Sequence, residues 1–184
     1  YMNDQEILDL YKKGERQQAF NILVRTYSER MYWHARQMVF DHDDANDIIQ
    51  NSFIKVWEAL PNFRGDSKLY TWLYRIVANE SLTFLKKRHT RSLLSFESYS
   101  QTLENKLIAD PLFNGNKIQL ALQKAIATLP PKQRNVFILK YFQDLKYEEI
   151  SEITGISVGS LKASYHHAFE KVKNFILQID RYSD

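Results

Sequence analysis

Residues 63–87 read FRGDSKLYTWLYRIVANESLTFLKK, and the rest of the chain is understood outward from them. Pro61, Gly65 and Asp66 break the chain into a loop, after which Ser67 or Asp66 can cap a helix. Leu69, Trp72, Leu73, Ile76 and Val77 then recur at spacings of three and four, one apolar helix face. Lys68, Thr71, Arg75 and Asn79 fall on the other face, joined further along by Lys86, and the helix runs out into Lys87, Arg88, His89, Thr90 and Arg91. A rigid helix with a core stripe, a cationic stripe and a basic end suits a phosphate backbone. The loop adds Phe63 and Arg64, residue types that stack on and hold unpaired bases. Trp72, at helical spacing, reads first as packing.

The whole chain has 184 residues, 44% hydrophobic and 26% charged, which is ordinary globular composition. It contains no cysteine, so disulfide frameworks, thiolate chemistry and cysteine-bound zinc are excluded, in keeping with a reducing, cytoplasmic setting. No signal-peptide pattern or membrane-length apolar run is present, so direct membrane insertion is not expected. Net charge is only +3, but it is unevenly placed. Residues 1–60 carry seven Lys/Arg against ten Asp/Glu, whereas residues 61–95 carry seven against two. An acidic face toward a protein and a basic face toward DNA is the physical reading.

Upstream, residues 4–13, 15–40 and 44–60 have helical periodicity. Asp43 or Asp44 reads as the cap of the third helix, whose apolar stripe includes Trp57 and whose polar side exposes Ile54. A calcium loop beginning at Asp41 fails, because its sixth position is Asn46 and its twelfth Ser52. Residues 92–116 lose all period and read as a flexible linker, with a short helix near 101–108. Beyond it, Pro130 and Pro131 separate two helices, Pro131 suiting a first helical position. A short helix at 147–153, the turn Thr154-Gly155-Ile156 and a long helix capped by Ser157 form a helix-turn-helix pattern. Val158, Gly159, Lys162, Ala163 and His166 share its outward face, where a major groove would be met. The expected fold is therefore all-α: a domain at 1–91, a linker at 92–116, and a helix-turn-helix domain at 117–184. No catalytic constellation, metal site or cofactor loop is recognisable, so neither an enzyme nor a small-molecule substrate is expected.

Two long ungapped stretches carry a resemblance. DANDIIQ at 44–50, residues 53–57 and FRGDSKLYTWLYRIVAN at 63–79 resemble region 2 of bacterial RNA polymerase sigma factors. LPPKQRNVFILKYFQDLKYEEISEITGISVGSLK at 129–162 is similar to their region 4. Two such regions with only a linker between them resemble the extracytoplasmic-function (ECF) subclass. The resemblance implies that Asp44, Asp47 and Gln50 dock on the β′ clamp helices of core RNA polymerase. It implies that Phe63, Arg64, Gly65, Asp66 and Ser67 capture a flipped base of the minus-ten element. Trp72, Tyr74, Arg75 and Asn79, with Lys86, Lys87 and Arg88, would melt and hold that element. Region 4 would lie on the β flap, with Arg134 near the DNA backbone and Ser157, Val158, Ser160, Lys162 and His166 toward the minus-thirty-five promoter element. It also implies an anti-sigma factor as regulator. Asn46 and Asn51 stand where many relatives have Glu, and residues 162–167 (KASYHH) lack the usual arginines. The main alternative is a helix-turn-helix regulator that binds operators without joining polymerase.

Overall fold

A computed structural model describes residues 3–91, 105 and 116–181, with the side chains of residues 89–91 left aside. Among these residues there are eight α-helices, one 3₁₀ turn and no strand. They are α1 (Asp4–Lys12), α2 (Arg16–Val39), α3 (His42–Ala59), α4 (Leu69–Arg91), α5 (Lys117–Ala127), α6 (Pro131–Tyr141), α7 (Tyr147–Thr154) and α8 (Val158–Arg181). The expected linker and the short helix near 101–108 lie outside the described residues, apart from helical residue 105 and Asn116.

Local chemistry sets the boundaries. Asn3 and Glu6 form a reciprocal capping box on α1. Phe40 ends α2 in the left-handed conformation at φ 59°, an unusual place for a bulky residue. α3 starts earlier than the sequence suggests, because Asp41, and neither Asp43 nor Asp44, accepts the cap bond, from the Asp44 N–H at 2.9 Å. Asn116 caps α5, and Pro131 occupies the start of α6 as expected. Gly155, at φ 74°, ends α7 where an L side chain would be strained, and Ser157 receives the Ser160 N–H at the start of α8.

Helices α1–α4 form one bundle and α5–α8 a second, and the two pack on each other through α4 on α7 and α2 on α6. Their buried apolar residues make one contiguous cluster, from Ile7, Leu23 and Met31 through Leu73 to Phe137, Ile150 and Leu161. Each such fully buried side chain contributes about 1.5–3 kcal/mol of transfer free energy. Helix α4 lies at the centre and is covered on more than one side. Hence Thr71, expected on its polar face, is buried, and so are Tyr74, Ala78 and Ser81. Trp57 departs the other way: it was assigned to the core stripe of α3 but is 40% exposed, packing edge-on against Phe20.

Candidate nucleic-acid interface

The loop before α4 is shaped by its own residues. A 3₁₀ turn, Leu60–Asn62 with Pro61 inside it, delivers the Phe63 N–H to the Leu60 carbonyl at 3.1 Å. Gly65 then takes φ 79°, which reverses the chain without Cβ strain. α4 opens with the Trp72 N–H on the Lys68 carbonyl, beyond the expected cap at Ser67 or Asp66. The result is a recess of about 460 Å³ lined by Asn62, Phe63, Arg64, Asp66, Ser67, Thr71, Trp72 and Arg75, together with Glu152 from α7.

Phe63 and Trp72 form the apolar floor, their ring centroids 4.9 Å apart and tilted by 46°. Both are half-buried, so each leaves part of a ring accessible. Arg64, Asp66, Arg75 and Asn79 are exposed, as are Lys86 and Lys87 further along α4. Aromatic faces beside guanidinium groups and a carboxylate offer stacking, phosphate pairing and base-edge hydrogen bonding together.

Three expected contacts are placed differently. Tyr74 is fully buried and donates from its hydroxyl to Gln143 Oε1 at 2.6 Å, so it presents nothing to a ligand in this arrangement. Burial raises its phenol pKa. Arg134 is only 4% exposed. Its guanidinium donates to the carbonyls of Ile126, Ala127 and Leu129 at 3.0–3.2 Å and to that of Met38 at 2.6 Å, which excludes a simultaneous phosphate contact. Arg88 is partly buried and bonded through Nη1 to Asp44 Oδ2 at 2.8 Å, so a residue assigned to DNA holds one assigned to polymerase.

On α3, Asp44 is half-buried, whereas Asp47 and Gln50 are exposed on the same side as the 57% exposed Ile54 region of the helix surface. At the far end, α7, the Gly155 turn and α8 form the expected helix-turn-helix. Ser157, Ser160, Lys162 and His166 are exposed and Val158 is half-buried. Lys162 Nζ also lies 5.8 Å from the Tyr147 ring centre. Leu161, Ala168 and Val172 face inward.

Sequence reasoning missed the contacts between the bundles. Tyr70 donates to Glu149 Oε2 at 2.8 Å, and Lys68 Nζ stands 3.6 Å from Glu149 Oε1. His34 is wholly buried beside Tyr74 and next to Asn135 of α6, and burial lowers its pKa to about 4. Nothing in local periodicity pairs residues 79 or 101 positions apart. The only available hint was polar residues falling on otherwise apolar faces.

Residues 23–91 match the family described as sigma-70 region 2, and residues 119–172 match sigma-70, region 4. Over 188 residues the chain is 31% identical to the ECF RNA polymerase sigma-E factor of Salmonella typhimurium strain LT2, covering 98% of this chain and 97% of that one. It is 30% identical to the RNA polymerase sigma-H factor of Pseudomonas aeruginosa, covering 92% and 91%. In fold it is similar to the sigma factor RpoE of Bartonella quintana, solved in complex with the anti-sigma factor NepR, with a TM-score of 0.69 over 88% of this chain and 98% of that one at 23% identity. It is also similar to CnrH, solved in complex with the cytosolic domain of CnrY, with a TM-score of 0.65 over 89% and 90% at 22% identity. With both sigma regions present in order and the likeness running nearly end to end, the chain belongs to the ECF family of RNA polymerase sigma factors.

Proposed function

We propose that the protein binds core RNA polymerase, directs it to a specific set of promoters and helps to open the minus-ten element. The observation that carries this reading is the match along 98% of the chain to an ECF sigma factor, which takes in the recess loop and the helix-turn-helix together. An operator-binding regulator shares only the second of these.

In this reading Asp44, Asp47 and Gln50 on α3 meet the β′ clamp helices. Phe63, Arg64, Asp66 and Ser67 hold a base flipped from the minus-ten element. Trp72, Arg75 and Asn79 flank that base, and Lys86 and Lys87 follow the phosphates. Flipping costs a few kcal/mol, of which stacking on an aromatic ring offsets about 1–3. Ser157, Val158, Ser160, Lys162 and His166 face the minus-thirty-five element. The outward surface of α8 carries no arginine between 157 and 171, so bidentate guanine contacts are few and its duplex affinity is low without polymerase. The protein works by recruitment and melting and not by catalysing a bond change of its own. It acts in the cytoplasm, where polymerase is, and an anti-sigma factor is the expected regulator. No described helix is long and apolar enough to cross a membrane.

The test is binding to core RNA polymerase from the source organism, measured by fluorescence anisotropy of the labelled chain. A saturable complex that Asp47→Lys weakens supports the proposal. Absence of any complex at micromolar core overturns it.

A further inference from the structure

Helix α8 is held by one face. Leu161, Ala168 and Val172 are buried, and the half-buried Tyr165 ring stacks on Phe137 of α6 with 5.9 Å between centroids. On the neighbouring edge, Gln133 of α6 donates to the Ser164 carbonyl at 3.5 Å and accepts from Lys171 Nζ at 3.3 Å. These contacts fix the rotation of α8 and leave His166 and His167 exposed. The two rings converge to 6.0 Å between centroids, and among the described residues neither makes a hydrogen bond or an ion pair.

The charged surroundings are mostly cationic. Lys162 precedes His166 by one turn and Lys171 follows His167 by one, while the half-buried Glu170 is the acid one turn beyond His166. Helix α5 packs on α8 and has only Lys117 and Lys124 as charged residues. Helix α6 adds the exposed Lys132 and Tyr141, with Arg134 committed to carbonyls and Lys140 Nζ 4.6 Å from the Tyr147 ring centre. From α7 come the Tyr147 phenol beside Lys162 and the exposed Glu148, whereas Glu149 is bonded to Tyr70 and Glu152 lines the recess. Such a surface attracts a polyanion, and imidazole is the side chain whose ordinary titration adds charge between about pH 8 and 5.

Resting on the reading of α8 as the helix that meets duplex DNA, we propose that His166 and His167 together form a proton-dependent DNA contact. A neutral imidazole offers one donor and no charge, whereas the imidazolium offers two donors and a charge to phosphate or guanine acceptors. A phosphate beside the ring favours the charged form, so the complex takes up protons that the free chain does not hold. The affinity gained in this way is fully present at the acidic end of the window and is lost as pH rises through it. An arginine at either position makes the same contact at every pH.

The test is anisotropy of a fluorescein-labelled, mixed-sequence DNA duplex of about 25 base pairs with the full chain at low salt, at about pH 6 and about pH 8. The parent is expected to bind at least about fivefold tighter at the lower pH, with a salt slope steeper by about 1–2. His166→Gln combined with His167→Gln is expected to lose most of both changes, and His166→Arg combined with His167→Arg to bind tightly at both pH values. The double variants retain His34, His42 and His89, so the titration of those residues cancels in the comparison. A parent that binds equally at the two pH values, or the same pH response in parent and glutamine variant, overturns the proton-dependent contact and leaves the duplex-binding reading in place. No binding by parent or arginine variant at about 100 µM protein overturns the duplex-binding reading, and the contact with it.

Discussion

Arg134 of α6 donates a hydrogen bond to the Met38 carbonyl at the end of α2, at 2.6 Å. The same guanidinium serves the carbonyls of Ile126, Ala127 and Leu129, at and just beyond the end of α5. A helix C-terminus leaves its last carbonyls without intrahelical donors, and here one buried cation supplies several of them. The planar fork makes this possible, and a lysine cannot reproduce it.

Arg134→Ala should therefore lower unfolding free energy by about 2–4 kcal/mol, since it strands buried carbonyls as well as removing charge-assisted bonds. Arg134→Lys should recover less than half of this. Urea titration followed by circular dichroism measures both; a loss below about 0.5 kcal/mol would contradict the structural role.

Histidine 34 gives the fold an acid-sensitive point. Its pKa is lowered to about 4 by burial, with Asn135 partly opposing the shift. An unfolded chain binds this proton near pH 6.5 while the folded one does not, so stability rises with pH across the window from about 4 to 6.5 and is lost as pH falls through it. The full effect is on the order of 3 kcal/mol. Thermal melts of the parent and His34→Met between pH 7 and pH 5 check this. The parent should lose more stability on acidification than the variant, and parallel losses would contradict it.

Phe63→Ala should leave the fold nearly intact, because the side chain is half-buried at the edge of the core. Removing one stacking face worth about 1–3 kcal/mol should weaken single-strand capture by roughly 5–150-fold. Anisotropy of the parent and the variant with a fluorescein-labelled, random-sequence single-stranded 12-mer at low salt measures it. Unchanged binding would remove Phe63 from the site.

Asp47 is exposed, so Asp47→Lys should change stability by no more than about 0.5 kcal/mol. Reversing its charge, in a position proposed to face polymerase, should weaken core binding about tenfold, mostly through association and salt dependence. A variant that binds core as the parent does would move the docking surface elsewhere on α3.

The sequence was informative where one residue acts on its immediate neighbours. Pro131 and Gly155 mark their helix ends through backbone geometry and Ser157 through its hydroxyl, and the 3.6-residue period of α2 places Leu23, Tyr27, Met31, Ala35 and Met38 inward, with Phe20 and Val24 half-buried on the same stripe. The recess loop was legible for the same reason, since Pro61 and Gly65 leave the backbone few choices. Helix α4 was read less well. A single apolar stripe describes a helix with one neighbour, but α4 packs against α2 and α3 on one side and α6 and α7 on the other. Thr71 and Tyr74 are buried there, Tyr74 between His34 of α2 and Gln143 just beyond α6, an environment that no local pattern announces. Arg134 was misplaced by analogy with a family position, because an arginine that caps a helix and one that binds phosphate look alike in sequence.

The central claim is that this chain gives core polymerase a promoter preference, and run-off transcription tests it most directly. Core RNA polymerase from the source organism is supplied with genomic DNA fragments, with and without the protein. Discrete new transcripts that appear only with the chain, and are lost with Asp47→Lys, are predicted. An unchanged transcript pattern, with core polymerase active on a nicked template in the same reaction, would contradict the account.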